Sequence, residues 1–199
     1  MTTHSIRISS LSPSLRGIWP RLCAGVLCFL LVALLAGCDK APAAKPQLAE
    51  GFPFPPLMLN YSEGKALSTQ SFRGKLLVLN VWATWCPPCR REMPSLERLS
   101  RTLDPNRFTV IGLSTDADAN LASEFLLQNG ITFANFFDQN GKIARDLGLK
   151  VYPETFLIGP DGTLVERIPG MREWDSPEMI ARLESAYQGK LNVEKYFVR

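Results

Sequence analysis

Residues 76–82 read LLVLNVW, apolar but for one asparagine. A continuous apolar run of this kind predicts a strand buried on both faces. From Pro87 the period changes. Met93, Leu96, Leu99 and Leu103 recur at three and four residues and predict a helix to about Leu103. A second buried strand follows over 108–113, then a helix over 117–128 that Gly130 ends. Residues 133–137 read as a short strand, and 141–147 as a short helix closed by Gly148. Residues 155–158 form another apolar strand. Pro160-Asp161-Gly162 is a turn, and 164–168 pairs back as a hairpin. Ser176 as N-cap and Pro177 as first helical residue open a last helix, which runs to about Tyr187 before Gly189. Upstream, 57–59 and 65–67 flank Ser62-Glu63-Gly64, a hairpin signal. Strands alternating with helices, then a closing hairpin and helix, predict an α/β domain over 57–190 with a central mixed sheet flanked by helices.

The amino terminus has a different character. Residues 1–21 are basic and serine-rich, and 22–37 read LCAGVLCFLLVALLAG without a polar break. A basic region, an apolar core and small residues before a cut make a secretory signal. Leu35-Ala36-Gly37-Cys38 resembles the lipobox of bacterial lipoproteins. That resemblance implies a signal peptide over 1–37, lipidation of Cys38 and a tether over 38–56, where Pro and Ala cluster. An uncleaved anchor and a freely secreted form are the alternatives; the apolar run is shorter than the ~20 residues a span needs. The leader also accounts for the charge. Arg7, Arg16 and Arg21 precede Cys38 and no acid does, so 19 basic and 19 acidic residues remain beyond it. A formally neutral mature chain gives no support for nucleic-acid binding. Composition, 46% hydrophobic and 21% charged, is ordinary for a globular domain.

Five cysteines then reduce to two. Cys23 and Cys28 leave with the leader, Cys38 is blocked by lipid, and Cys86 and Cys89 remain as free thiols. The only histidine, His4, also leaves, which removes Cys-His and Ser-His mechanisms and any imidazole ligand. No second CxxC exists to complete a zinc site, and no cofactor is implied. Cys86-Pro87-Pro88-Cys89 stands behind a strand and at the start of a helix. With Cys86 at the N-cap and Cys89 at the third helical position, both sulfurs sit at the positive end of the helix dipole, which favours a thiolate. Cys86 is the expected nucleophile and Cys89 the resolving thiol. Pro87 and Pro88 cost no helical hydrogen bond there, but they remove two N–H groups that could face the Cys86 sulfur. The N–H groups of Cys89 and Arg90 remain. A thiolate with fewer donors marks a more reducing pair.

Residues 50–190 resemble the thioredoxin superfamily, and within it the TlpA-like, ResA-like and CcmG (DsbE)-like thiol–disulfide proteins. Leu77 to Cys89 is similar to that family's first strand and active site, and Pro94 to the proline of its active-site helix. The stretch 116–137 is similar to the αβ insert of this branch, and Val151 to Ile158 to the segment that holds a cis-proline. The resemblance implies a cis bond before Pro153, with Trp85, Pro87, Pro88, Tyr152 and Pro153 forming the substrate-binding rim; Trp82 is either a further part of that rim or a core residue. Asn80 stands where ordinary thioredoxins have a buried aspartate. Glu154 is the expected substitute, a carboxylate that takes the Cys89 proton.

The function this resemblance implies is reduction of disulfides in exported proteins, apocytochrome c among them, on the periplasmic face of the bacterial inner membrane. A reductant there needs recharging, so a membrane electron donor of the DsbD (CcdA) type is the implied partner. An oxidant that introduces disulfides is the alternative. A thioredoxin-fold peroxidase fits less well, because its signature threonine lies three residues before the reactive cysteine and Thr84 lies two before Cys86. Nothing argues for more than a monomer, and the tail over 191–199 carries no readable motif.

Overall fold

The computed structural model describes residues 48–61 and 64–191. The leader, Cys38, most of the tether, two hairpin-turn residues and the last eight residues lie outside that range. The elements are β1 (Met58–Asn60), β2 (Ala66–Ser68), a 3₁₀ turn (Thr69–Phe72), β3 (Leu76–Trp82), α1 (Pro87–Thr102), β4 (Phe108–Ser114), α2 (Ala119–Gln128), β5 (Asn135–Phe137), α3 (Lys142–Asp146), β6 (Glu154–Ile158), β7 (Leu164–Pro169) and α4 (Pro177–Tyr187). They build a seven-stranded mixed sheet in the order β2-β1-β5-β4-β3-β6-β7. Strands β3, β4 and β5 run parallel; β6 and β7 add antiparallel on one side, and β1 and β2 on the other.

Strand β3 lies at the heart of the sheet, which is why its sequence is nearly all apolar. Its even-numbered side chains Leu76, Val78 and Trp82 pack under α1 and α4 with Met93, Leu96, Leu99 and Leu183. Its odd-numbered side chains Leu77, Leu79 and Val81 pack on the other face with Ile111, Phe136, Phe156 and Leu147. Trp82 is thus a core residue, fully buried, with its indole N–H donating to Asn135 Oδ1 at 2.9 Å.

Where expected boundaries shift, local hydrogen bonds explain it. Helix α2 starts at Ala119 because Asp118 caps it, its carboxylate accepting from the Asn120 N–H. Strand β5 starts at Asn135 because the Thr132 and Phe133 N–H groups are committed to the Glu97 carboxylate. The first hairpin sits one residue later than expected, with Leu59 turned into the core opposite Leu67. Before it, residues 51–54 run antiparallel to the turn before β7 and to the first residue of that strand. The Gly51 N–H donates to the Leu164 carbonyl, the Leu164 N–H to the Phe52 carbonyl and the Phe54 N–H to the Gly162 carbonyl.

Candidate active site

Cys86 is the N-cap of α1, Pro87 and Pro88 fill its first two positions, and Cys89 is the third. The cysteines are joined in a disulfide with Cα atoms 5.3 Å apart, within the usual range for such a bridge. The Cys86 sulfur accepts from the Cys89 N–H at 3.2 Å. The Arg90 N–H donates instead to the Cys86 carbonyl, so of the two expected donors only one reaches the sulfur. Cys86 is 4% exposed and Cys89 fully buried, so Cys86 is the more accessible of the pair.

The loop ahead of the pair is held by a carboxylate that the sequence pattern did not single out. Asp116, buried just past β4, accepts from the Thr84 N–H and hydroxyl and from the Ser114 hydroxyl. This fixes the chain two residues before Cys86. Trp85 projects into solvent, 60% exposed, its ring edge-on to Tyr152 with centroids 5.0 Å apart. The Tyr152–Pro153 bond is cis. Tyr152 lies outside both ladders of β6, which begin at Glu154. The Pro153 carbonyl accepts from the Gly170 N–H at 2.7 Å, which brings the loop after β7 to the same place. Exposed Val151 and Met171 extend the apolar surface around Trp85 and Tyr152.

Behind the cysteines lies a buried polar cluster. Glu92, one helical turn beyond Cys89, is sealed between α1 and the sheet. Its Oε1 accepts from Asn80 Nδ2 at 2.7 Å, and its Oε2 from the Arg172 N–H and the Trp174 indole N–H, both at 3.1 Å. Asn80 Nδ2 also donates to Thr155 Oγ1 at 2.9 Å. Burial pushes the Glu92 carboxyl above its ordinary range, against the pull of Trp174, the Arg172 N–H, Asn80 and the Arg172 charge. The sequence held a signal for this residue, an acid three after Cys89 and four before Leu96, on the apolar stripe.

Glu154 is placed differently from the expectation. It pairs with Val81 across the ladder, and its neighbours Thr155 and Leu157 take the helix α1 face. Strand alternation therefore turns Glu154 to the opposite face, with Phe156. There Arg167 binds its carboxylate, Nε to Oε1 at 2.8 Å, and stacks over the Phe156 ring. Glu154 thus lies on the face of the sheet away from α1, and the buried acid on the α1 side is Glu92, one helical turn beyond Cys89.

A CxxC disulfide at the mouth of a helix, facing a cis-proline on a mixed sheet, defines a thioredoxin-like thiol–disulfide exchange protein. Sequence comparison reaches the same class. The Redoxin family matches residues 38–185, and the chain belongs to it. It is 33% identical over 128 residues to the thiol-disulfide oxidoreductase ResA of Bacillus thuringiensis (strain Al Hakam), covering 64% of this chain and 74% of that one. To the thiol:disulfide interchange protein DsbE of Vibrio cholerae it is 34% identical over 159 residues, covering 77% and 83%. Among solved structures, a DsbE-type thiol:disulfide interchange protein from Chlorobium tepidum superposes with a TM-score of 0.62 at 28% identity, over 72% of this chain and 99% of that one. The protein is a thiol–disulfide oxidoreductase of the ResA, DsbE and CycY type. Among the described residues no helix is long and apolar enough to cross a membrane.

Proposed function

We propose that this protein is a reductant of disulfides in exported proteins, apocytochrome c among them, tethered by lipid on Cys38 to the periplasmic face of the inner membrane. The observation that carries the direction of exchange is the Cys86 sulfur with a single backbone donor, since Pro87 and Pro88 have no N–H and the Arg90 N–H is spent on a carbonyl. A reduced form whose thiolate is little stabilised gives its electrons away readily. Equilibration of the full-length protein with glutathione tests this. The expected potential lies below about −200 mV, and a value near −120 mV would mark an oxidant instead.

In this reading the Cys86 thiolate attacks one sulfur of the client disulfide, and the other client sulfur leaves as a thiolate that takes a proton from solvent. Cys89 then loses its proton to Glu92, and its sulfur attacks Cys86. The Cys86–client bond breaks, the second client sulfur leaves as a thiolate and takes the proton that Glu92 gives up, and the protein becomes the disulfide and the client the dithiol. Trp85, Pro87, Pro88, Tyr152 and Pro153 form the rim against which an extended client segment lies, with the Tyr152 backbone available to pair with it. A membrane donor of the DsbD (CcdA) type returns the two electrons. The lipid anchor is checked separately: cells fed a fatty-acid analogue should label wild-type protein and not Cys38→Ser. Label that persists in the variant, or is absent from both, removes the anchor and leaves the redox reading standing.

A further inference from the structure

Among the described residues one buried side-chain polar atom has no hydrogen-bond partner, and it is Asn80 Oδ1. An orphaned buried acceptor costs stability, on the order of 1–3 kcal/mol, and calls for an explanation. Its setting supplies one. The other half of the same amide makes two bonds, to Glu92 Oε1 and Thr155 Oγ1. Glu92 in turn receives three N–H donors, from Asn80, Arg172 and Trp174, and faces no acceptor. That set suits a carboxylate and leaves a carboxylic acid with nowhere to place its proton.

We propose that Asn80 is a positioning residue for proton transfer at the cysteines: its amide donates to Glu92 when that carboxyl is ionised and, turned over, accepts from it when it is protonated. Three features make the turn available. Nothing is bonded to Oδ1, so turning breaks no bond behind the amide. The Thr155 hydroxyl can accept from the amide N–H in one orientation and donate to the amide oxygen in the other. The Arg172 and Trp174 donors hold Oε2 throughout, so the acid keeps its place while Oε1 changes from acceptor to donor. Glu92 stands one helical turn beyond Cys89 on α1, its carboxylate is bonded by Asn80 from β3 and by Arg172 and Trp174 from the loop after β7, Ser95 on its own helix donates to its carbonyl, and Thr155 of β6 lies behind Asn80. Arg172 brings a positive charge to this group, and Asn80 is the partner bonded to Oε1, where it can turn from donor to acceptor as Glu92 changes.

This rests on Glu92 as the proton acceptor, and it adds the device that keeps a buried acid paired in both states. When Cys89 resolves a mixed disulfide its S–H bond breaks, the proton passes to Glu92, and the new O–H donates to Asn80 Oδ1 as the sulfur electrons form the Cys86–Cys89 bond. Returning Asn80 to its first orientation accompanies release of the proton.

The test is nuclear magnetic resonance of the full-length oxidised protein, labelled at Asn side-chain nitrogen and Glu carboxyl carbon. The Glu92 carboxyl and the Asn80 amide should titrate together with one midpoint, and the contact between the Asn80 amide protons and the Glu92 side chain should be lost below it. Glu92→Gln presents an N–H to Asn80 as the protonated acid does, so in that variant the Asn80 signals should stay at their low-pH positions throughout. Asn80→Leu should slow resolution of a mixed disulfide at least roughly tenfold and shift its pH profile. If Glu92 titrates while Asn80 does not respond, or if Asn80→Leu loses stability with an unchanged pH profile, the proposal falls and the role of Glu92 survives. If Glu92→Gln leaves the pH profile of resolution unchanged, the role of Glu92 falls and this proposal with it.

Discussion

Replacing Cys89 with alanine is expected to stop the reaction halfway and leave client proteins covalently attached to Cys86. Cys89 is fully buried, 5.3 Å from Cys86 by Cα, while Cys86 is the edge of the pair that solvent reaches. An incoming disulfide therefore meets Cys86, and only Cys89 is placed to displace it. With Cys89 gone the mixed disulfide has no intramolecular exit. Non-reducing gels of the cell envelope should show adducts with Cys89→Ala that Cys86→Ala lacks, and mass spectrometry of the adducts identifies the clients. Haem-attachment segments among them support the proposed reductant role. Adducts formed through Cys89 in the Cys86→Ala protein would reverse the assignment. An absence of adducts from either would mean that the disulfide is only a staple.

The second large effect is expected at Glu92. Glu92→Gln should slow resolution by roughly a hundredfold, the low end of what a positioned proton acceptor supplies. Stopped-flow release of a mixed disulfide measures it. The wild-type rate should rise with pH as Glu92 loses its proton, and the variant should lack that limb. Stability carries the opposite sign. Burial raises the Glu92 carboxyl above its unfolded value, so its contribution is full below that value and is lost as pH rises through the folded one. Over that window wild type should lose stability to pH while Glu92→Gln does not. Glu154→Gln is the contrast. Its exchange rate and pH profile should stay close to wild type, with a loss of stability from the broken Arg167 pair. A pH profile flattened by Glu154→Gln and not by Glu92→Gln would return the role to the position first expected.

The difference between these two glutamates shows what a linear sequence reveals and what it does not. The order of elements was legible because β3 is apolar on both faces and α1 carries its stripe at helical spacing. The N-cap of α1 was legible because proline at the first helical position leaves few other arrangements. Which face Glu154 takes was not. Alternation from Pro153 settles the face only once the pairing of Val81 with Glu154 is known, and that pairing joins residues far apart in the chain. Asp116 hid for the same reason, since its partner Thr84 comes from another strand end. Glu92 was local and could have been read: an acid on an apolar stripe, one turn from a cysteine, is buried for a purpose. Asn80, the polar break in LLVLNVW, was the other half of that signal, and only the folded chain sets the two 2.7 Å apart.

The segment over 51–54 has a consequence beyond the fold. It pairs with the turn before β7 and with the first residue of that strand, and the opposite margin of the sheet is β2, three residues long. Uncovered strand margins invite other chains to pair, and short or covered ones refuse them. With one margin three residues long and the other covered where β7 begins, the sheet offers other copies of the chain little free edge to pair with.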